Sequence, residues 1–331
     1  MKRPGPWLAL WALENAGLLL FAAVLAGFGL LHPRFLEPAN LLGILVQSAP
    51  AAIVAVGMTF VLLTGGVDLS VGAVMFVGAA LAGRLLLAGH SPAAAAAVML
   101  AVGLLAGSIN AFLVTRLRLL AFVATLGLLN VGRGLGLWIS QTRAMNLPDG
   151  FSRLGSVRFL EVPLALWVLA LVVAVAHVVL TRTPFGRQLY AIGHSHEAAR
   201  KAGIPVRRHL ATAYLVCGGA AGLGGMVALA QLGAVSPRFG EFYEFDAITA
   251  AVLGGVSLFG GRGGVFPGPI LGAVLVKSIF NGLVMAQADP YLFPLITGGI
   301  IFAAVLVDAL RDRLLARLRR RPIYLEASSP G

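Results

Sequence analysis

Charge is scarce in this chain. Asp, Glu, Lys and Arg together make up 11% of its 331 residues, whereas soluble domains carry about 25%. That scarcity excludes an ordinary water-soluble fold. Cysteine is almost missing as well: Cys217 stands alone in an apolar run, which rules out an intrachain disulfide or a cysteine-based metal cluster. There is no Gly-x4-Gly-Lys-[Ser/Thr] phosphate loop. The nearest approach, 272–278, ends in Lys277-Ser278 but lacks the second glycine and lies in an apolar run where no phosphate could be cradled. No His-Glu-x-x-His is present, and His194, His196 and His209 sit on a basic segment without a carboxylate cluster, as solvated polar residues rather than metal ligands. No Ser-His-Asp arrangement has local support. The expectation is a chain with no catalytic residues, no cofactor and no metal.

What is present is long apolar runs: 59% of the residues are hydrophobic. Runs of about 20 residues, enough to cross a bilayer as a helix, recur along nearly the whole chain. The expected fold is all-α, a polytopic bundle of about ten transmembrane helices in a single domain, 1–331. The runs are 7–31, 40–64, 67–89, 93–115, 119–140, 162–181, 209–231, 246–261, 265–287 and 291–309. Lys2 and Arg3 precede the first run, but its apolar stretch is longer than a signal peptide's core, so it reads as a span. The eighth is short and holds Gly254, Gly255, Gly260 and Gly261, the composition of a broken or re-entrant helix.

The formal net charge of +12 would suggest nucleic acid in a soluble protein. Here it marks cytoplasmic loops, and no nucleic-acid partner is expected. With the N-terminus inside, most basic residues fall in the cytoplasm, notably in the loop 182–208 and a basic tail, 310–331. Glu37, Asp149, Glu161, Glu241, Glu244, Asp246 and Asp289 then fall outside. An even number of spans with both termini cytoplasmic fits. The arginines of loop 141–161 are the main exception, and that loop can hold a small external helix.

Glycine pairs at helix-packing spacing, Gly103/Gly107, Gly132/Gly136, Gly218/Gly222 and Gly268/Gly272, read first as sites of close backbone approach. Gly65-Gly66-Val67-Asp68-Leu69 is echoed faintly by Gly254-Gly255-Val256-Ser257-Leu258. Charges within spans are costly in lipid and tend to mark function or a paired structural role; they are Glu14, Asp68, Arg84, Arg133 and Lys277. Arg84 and Glu14 lie near span ends, where a long side chain can reach polar surroundings. Arg133, with Asn130 and Thr125 on nearby turns, either lines a pathway or locks the bundle. Asp68 and Ser70 suit a helix N-terminus and are assigned as a structural cap, with a proton-relay carboxylate as the alternative.

The one long polar passage is 185–204. Thr183-Pro184 ends the sixth span, and Gly186, Gly193 and Gly203 bracket a short helix containing Glu197-Ala198-Ala199-Arg200-Lys201. Such a helix, too polar for lipid and too short to fold alone, calls for a protein partner; a bare solvated loop is the plainer reading.

Four segments then carry a family resemblance: 64–72 (TGGVDLSVG); 125–127 with Arg133-Gly134; 186–204; and 246–263, with its VLGGVSLFGGRG. In order and across nearly the whole chain, they resemble the permease subunits of bacterial ABC importers for ribose and other simple sugars. The resemblance implies a multi-pass protein of the bacterial inner membrane, embedded in lipid. Its implied partners are a second permease copy, cytoplasmic ATP-binding subunits, an extracytoplasmic sugar-binding protein and a monosaccharide substrate. It also implies that Gly193, Glu197, Ala198, Ala199, Arg200 and Gly203 form the coupling helix that docks on the ATPase. Asn110, Thr125, Asn130, Arg133 and Asn281 are the expected wall of the translocation pathway. A branched-chain amino-acid permease shares the fold and is the nearest rival. An ion-coupled transporter is further off, and a membrane-embedded enzyme lacks the ionisable cluster it would need.

Overall fold

The structure, a computed structural model, describes residues 16–293 and 295–300 together with 302, 303, 305, 306 and 309. Residues 7–15 of the first run, Glu14, the tail 310–331 and parts of the tenth run lie outside them. Helices dominate: α1 (Ala16–Leu31), α2 (Pro38–Leu63), α3 (Val71–Leu87), α4 (Pro92–Thr115), α5 (Ala121–Ser140), α6 (Leu164–Arg182), α7 (Pro184–His194), α8 (His196–Lys201), α9 (Val206–Leu232), α10 (Tyr243–Leu253) and α11 (Gly268–Met285). Six of them, α2, α4, α5, α6, α9 and α11, are long and apolar enough to cross a bilayer, and Gly17–Leu31 and Val71–Leu87 are shorter apolar helices. The chain is a polytopic helical membrane protein.

α2 and α9 form the centre, with 67% of the apolar window of each buried, against 22% for α5 and 28% for α6. From Ala49 to Leu63 every residue of α2 is buried, as expected of a helix wrapped by other helices rather than one with a single inward stripe. α9 packs most extensively on α4 and α2. Its contact with α4 runs through the predicted glycines: a Cβ on Gly103 would strike the Gly218 carbonyl, and one on Gly107 the Tyr214 carbonyl. Likewise Gly132 and Gly136 lie against Ala73 and Phe76 of α3, and Gly268 and Gly272 against Gly254 and Ala250. Small residues at these points let backbones meet where apolar burial alone gives helices no reason to associate in lipid. At the periphery, Leu171, Val175 and Val178 of α6 are exposed along one face, the arrangement suited to hydrocarbon contact.

The loop after α5 holds a helical turn, Asp149–Ser152. It also holds strands that hydropathy did not reveal: β1 (Met145–Asn146) pairs antiparallel with β4 (Ala234–Val235), and β2 (Arg158–Phe159) with β3 (Val162–Pro163). Two-residue strands lie below the length at which alternation can register.

The eighth run forms no span. α10 has 11 residues, about 16 Å at 1.5 Å per residue, and a loop follows it to α11. α2 and α10 close in the same way. Gly65 (φ 76°) and Gly255 (φ 89°) take the left-handed conformation one residue past each cap. Gly66 N–H then donates to the Val61 carbonyl at 3.2 Å, and Val256 N–H to Ala251 at 3.0 Å. This is the Schellman closure, which glycine permits at no steric cost. The equivalence is offset by one residue from the sequence echo, pairing Gly65 with Gly255 rather than Gly254. The loops after the two helices also meet, since Gly261 N–H donates to the carbonyl of Leu63, the last residue of α2, at 2.9 Å.

Candidate functional site

The polar passage folds as two helices rather than one. Ser195, extended at φ −162° and ψ 111°, ends α7 and caps α8, its Oγ accepting from Ala198 N–H at 3.2 Å. Gly186 and Gly193, expected at helix boundaries, lie inside α7. Their role is close approach: a Cβ on Gly186 would strike Leu180, and one on Gly193 would strike the Leu63 carbonyl and the Gly261 amide. Gly203 (φ 81°) does terminate α8, with Ile204 N–H returning to the Ala199 carbonyl at 3.0 Å, a third Schellman closure.

α7 is held against the bundle along one side, with Gly186, Leu189 and Ile192 buried at a spacing of three. Tyr190 donates its hydroxyl to the Gly263 carbonyl at 2.8 Å. Burial raises the Tyr190 phenol above its ordinary ionisation range, so it remains a donor at neutral pH. α7 therefore touches both elements at once, the end of α2 through Leu63 and the loop after α10 through Gly261 and Gly263. α8 presents the opposite character. Ala199 alone is buried, while Glu197, Ala198, Arg200 and Lys201 are exposed. Glu197 and Lys201 pair at 2.8 Å with both side chains more than two-thirds exposed, a contact of little value to stability.

Inside the bundle, the Asp68 carboxylate is buried and accepts from Ser70 N–H at 2.9 Å, from Ser70 Oγ at 2.6 Å and from Asn110 Nδ2 at 3.2 Å. Asn110 also donates to Ser70 Oγ at 2.9 Å. Ser70 is the N-cap of α3 and makes no capping bond of its own; the bonds of Asp68 run to Ser70 itself and tie α3 to α4 through Asn110. Tyr214 of α9 is buried nearby, donating to the Val67 carbonyl at 3.5 Å.

Arg133 donates Nη1–H to the Phe239 carbonyl at 2.7 Å and lies 5.7 Å from the centre of the Phe76 ring. It faces Glu244, a residue placed by charge counting in an outer loop and found buried in the first turn of α10. Thr125 and Asn130 bond carbonyls of their own helix, Ala121 and Leu126, at 2.9 Å each. Asn281 exchanges amide hydrogen bonds of 3.0 Å with Asn40 of α2. Asn281 also lines a cavity of about 870 Å³ between α10, α11, α2 and the segment 293–298. Of the five predicted wall residues it is the one that does so; Asn110, Thr125, Asn130 and Arg133 sit elsewhere in the bundle. Asp246 and Lys277 share the cavity wall. Asp246 was missed because charge counting assigned it to solvent, although its neighbours Phe242, Tyr243 and Phe245 are a poor composition for a solvated loop.

Residues 40–305 match the sequence model of a family described as branched-chain amino acid transport system / permease component. The chain belongs to this permease family. The ribose import permease of Bacillus subtilis (strain 168) is 36% identical to it over 311 residues, covering 93% of each chain. The ribose import permease of Escherichia coli (strain K12) is 35% identical, covering 90% of this chain and 94% of the relative. The D-allose transport system permease of the same bacterium is 34% identical, covering 93% and 95%. No solved structure matches the chain. The permease is a transport subunit of the bacterial inner membrane rather than an enzyme.

Proposed function

We propose that this permease is the transmembrane subunit of an ATP-driven importer for a monosaccharide such as ribose or a related simple sugar. The observation that carries the reading is the full-length similarity to sugar-import permeases joined to an exposed α8 latched, through α7, onto the end of α2 and the loop after α10. ATP binding and hydrolysis fall to a separate cytoplasmic subunit that grips α8 through Glu197, Ala198, Ala199 and Arg200, with Gly193 and Gly203 shaping the lever. Closure of that ATPase dimer pushes α7 against Leu63 and Gly261, and the bundle shifts between inward- and outward-facing packings. Two permease copies flank the pathway, an external sugar-binding protein delivers substrate, and both termini lie in the cytoplasm. The whole chain acts as one transmembrane domain, its span count reaching ten only if the short α10 is included.

Asn110, Thr125, Asn130, Arg133 and Asn281 remain the proposed wall, and Asp68 with Ser70 the proposed lock at the head of α3. The test is uptake by vesicles holding the importer, with radiolabelled ribose, allose, fructose and leucine as probes. ATP-dependent accumulation of a sugar that survives a protonophore supports the reading. Accumulation of leucine alone, or collapse with the protonophore while ATP is plentiful, overturns it.

A further inference from the structure

Lys277 is the tenth of the 18 residues of α11, so its ammonium group belongs to the middle of a span. Placing a charge there is costly and calls for a partner. Among the described residues no ion pair within 4.0 Å involves Lys277 or Asp246, although the two interact electrostatically across the shared cavity. An acid on α10 and a base on α11 that stand apart are unlike a structural lock, which would close to contact so that each charge offsets the other's lost hydration. Both line the cavity, so a solute held there meets both charges.

The rest of the wall can hold a ring with hydroxyls on its edge and C–H groups on its faces. Lys277, Phe280, Asn281 and Val284 recur every three to four residues, so one face of α11 lines the space. Across from it, Phe242 and Phe245 stand with ring centres 6.4 Å apart, while Phe280 and Phe293 stand 5.6 Å apart. Aromatic faces carry partial negative charge and pack against weakly positive C–H groups, such as those on the flat side of a sugar ring. A carboxylate accepts from hydroxyls, an ammonium donates to them, and the Asn281 amide does both. The cavity volume is that of a small-molecule site.

We propose that this cavity is a monosaccharide way-station within the permease, in which Asp246 and Lys277 read sugar hydroxyls while the Phe242/Phe245 and Phe280/Phe293 pairs hold the ring. The proposal rests on the sugar-importer reading and adds to it a fixed substrate site on this chain, with its own selectivity downstream of any external binding protein.

The experiment uses the complete importer in proteoliposomes and a reporter cysteine, Val284→Cys, on the exposed rim of the cavity. The chain's own cysteine, Cys217, is buried, and the parent importer supplies the background. Labelling by a membrane-impermeant maleimide is timed with ribose, allose, fructose or leucine present. Expected is labelling slowed about tenfold by at least one sugar at roughly ten times its dissociation constant. In Asp246→Asn and Lys277→Gln backgrounds, each normalised to its own labelling rate without sugar, the sugar concentration for half-protection rises roughly tenfold or more, through loss of one charge-assisted hydrogen bond. Should a single variant fail to assemble, the double variant, which leaves no unpaired charge, replaces it with the same readout. Three results overturn the proposal: no labelling of Val284→Cys, labelling indifferent to every sugar, or protection by leucine alone. If the importer accumulates sugar with ATP and one of these results is found, only the way-station falls; if it accumulates none, the importer reading falls first.

Discussion

Gly193 shows how a single residue type can decide a mechanical contact. Its α-carbon faces the Leu63 carbonyl and the Gly261 amide so closely that any side chain would part them. Gly193→Val should therefore leave a permease that inserts and binds its ATPase but is uncoupled: hydrolysis stays within about twofold of wild type while sugar uptake falls about tenfold or more, a difference of about 1.4 kcal/mol in effective coupling. Parallel assays of phosphate release and uptake check it; unimpaired uptake would show that the contact does not transmit force. Asn110 poses a different case, since its amide serves both the Asp68 carboxylate and Ser70 Oγ. Asn110→Leu leaves that buried carboxylate short of a donor, at a cost of about 1–3 kcal/mol, to be read as a lower unfolding temperature in detergent. The sequence marked Asp68 with Ser70 as a cap, and Asn110 only as an expected wall residue implied by the family resemblance. It could not join them, because Asn110 is some forty positions away and α4 is placed by its packing on α9, at the Gly103/Gly107 crossing, and on α3.

At the scale of elements, α7 and α8 divide two tasks that read as one stretch in the sequence. α7 holds to the bundle by its buried side, and α8 offers an exposed, nearly all-polar surface. Glu197→Lys should leave stability unchanged, because its pair with Lys201 is solvated and of little worth, yet release the ATPase, seen as loss of co-purification at constant permease yield. Retained co-purification with normal uptake would count against docking on α8. Ser195→Ala removes the cap that separates the helices and should loosen α8 by about 1 kcal/mol, measurable as faster amide exchange over 196–201 with α7 unaffected. Capping residues and terminal glycines were legible here because they act locally: Thr183-Pro184, Gly203 and Pro205 all stand where helices begin or end. The division at Ser195 was not, since Gly193 looked like a boundary and its reason for being glycine is Leu63, far away in the chain.

Across the whole molecule, hydropathy located the long spans because a bilayer demands about 20 apolar residues from any crossing helix. It failed at α10. There the chain forms a half-length helix with two charged residues inside the bundle, Glu244 buried among other helices and Asp246 on the cavity wall. Such residues look like loop residues to any rule that treats polarity as exposure. The glycine crossing between α4 and α9 is the joint about which the centre is built, and Gly218→Ile should prevent assembly altogether, because its side chain would enter the backbone of α4 at Gly103 and Gly107. The readout is loss of folded permease from membranes, and normal yield would contradict the packing.

In the proposed mechanism the bundle is driven through α8 by a separate ATP-binding subunit. The most direct measurement is uphill sugar uptake into liposomes containing the purified permease, with and without its ATP-binding subunit, at saturating ATP and binding protein. Accumulation only with the ATP-binding subunit is the predicted result. Accumulation against a gradient by the permease alone would contradict it.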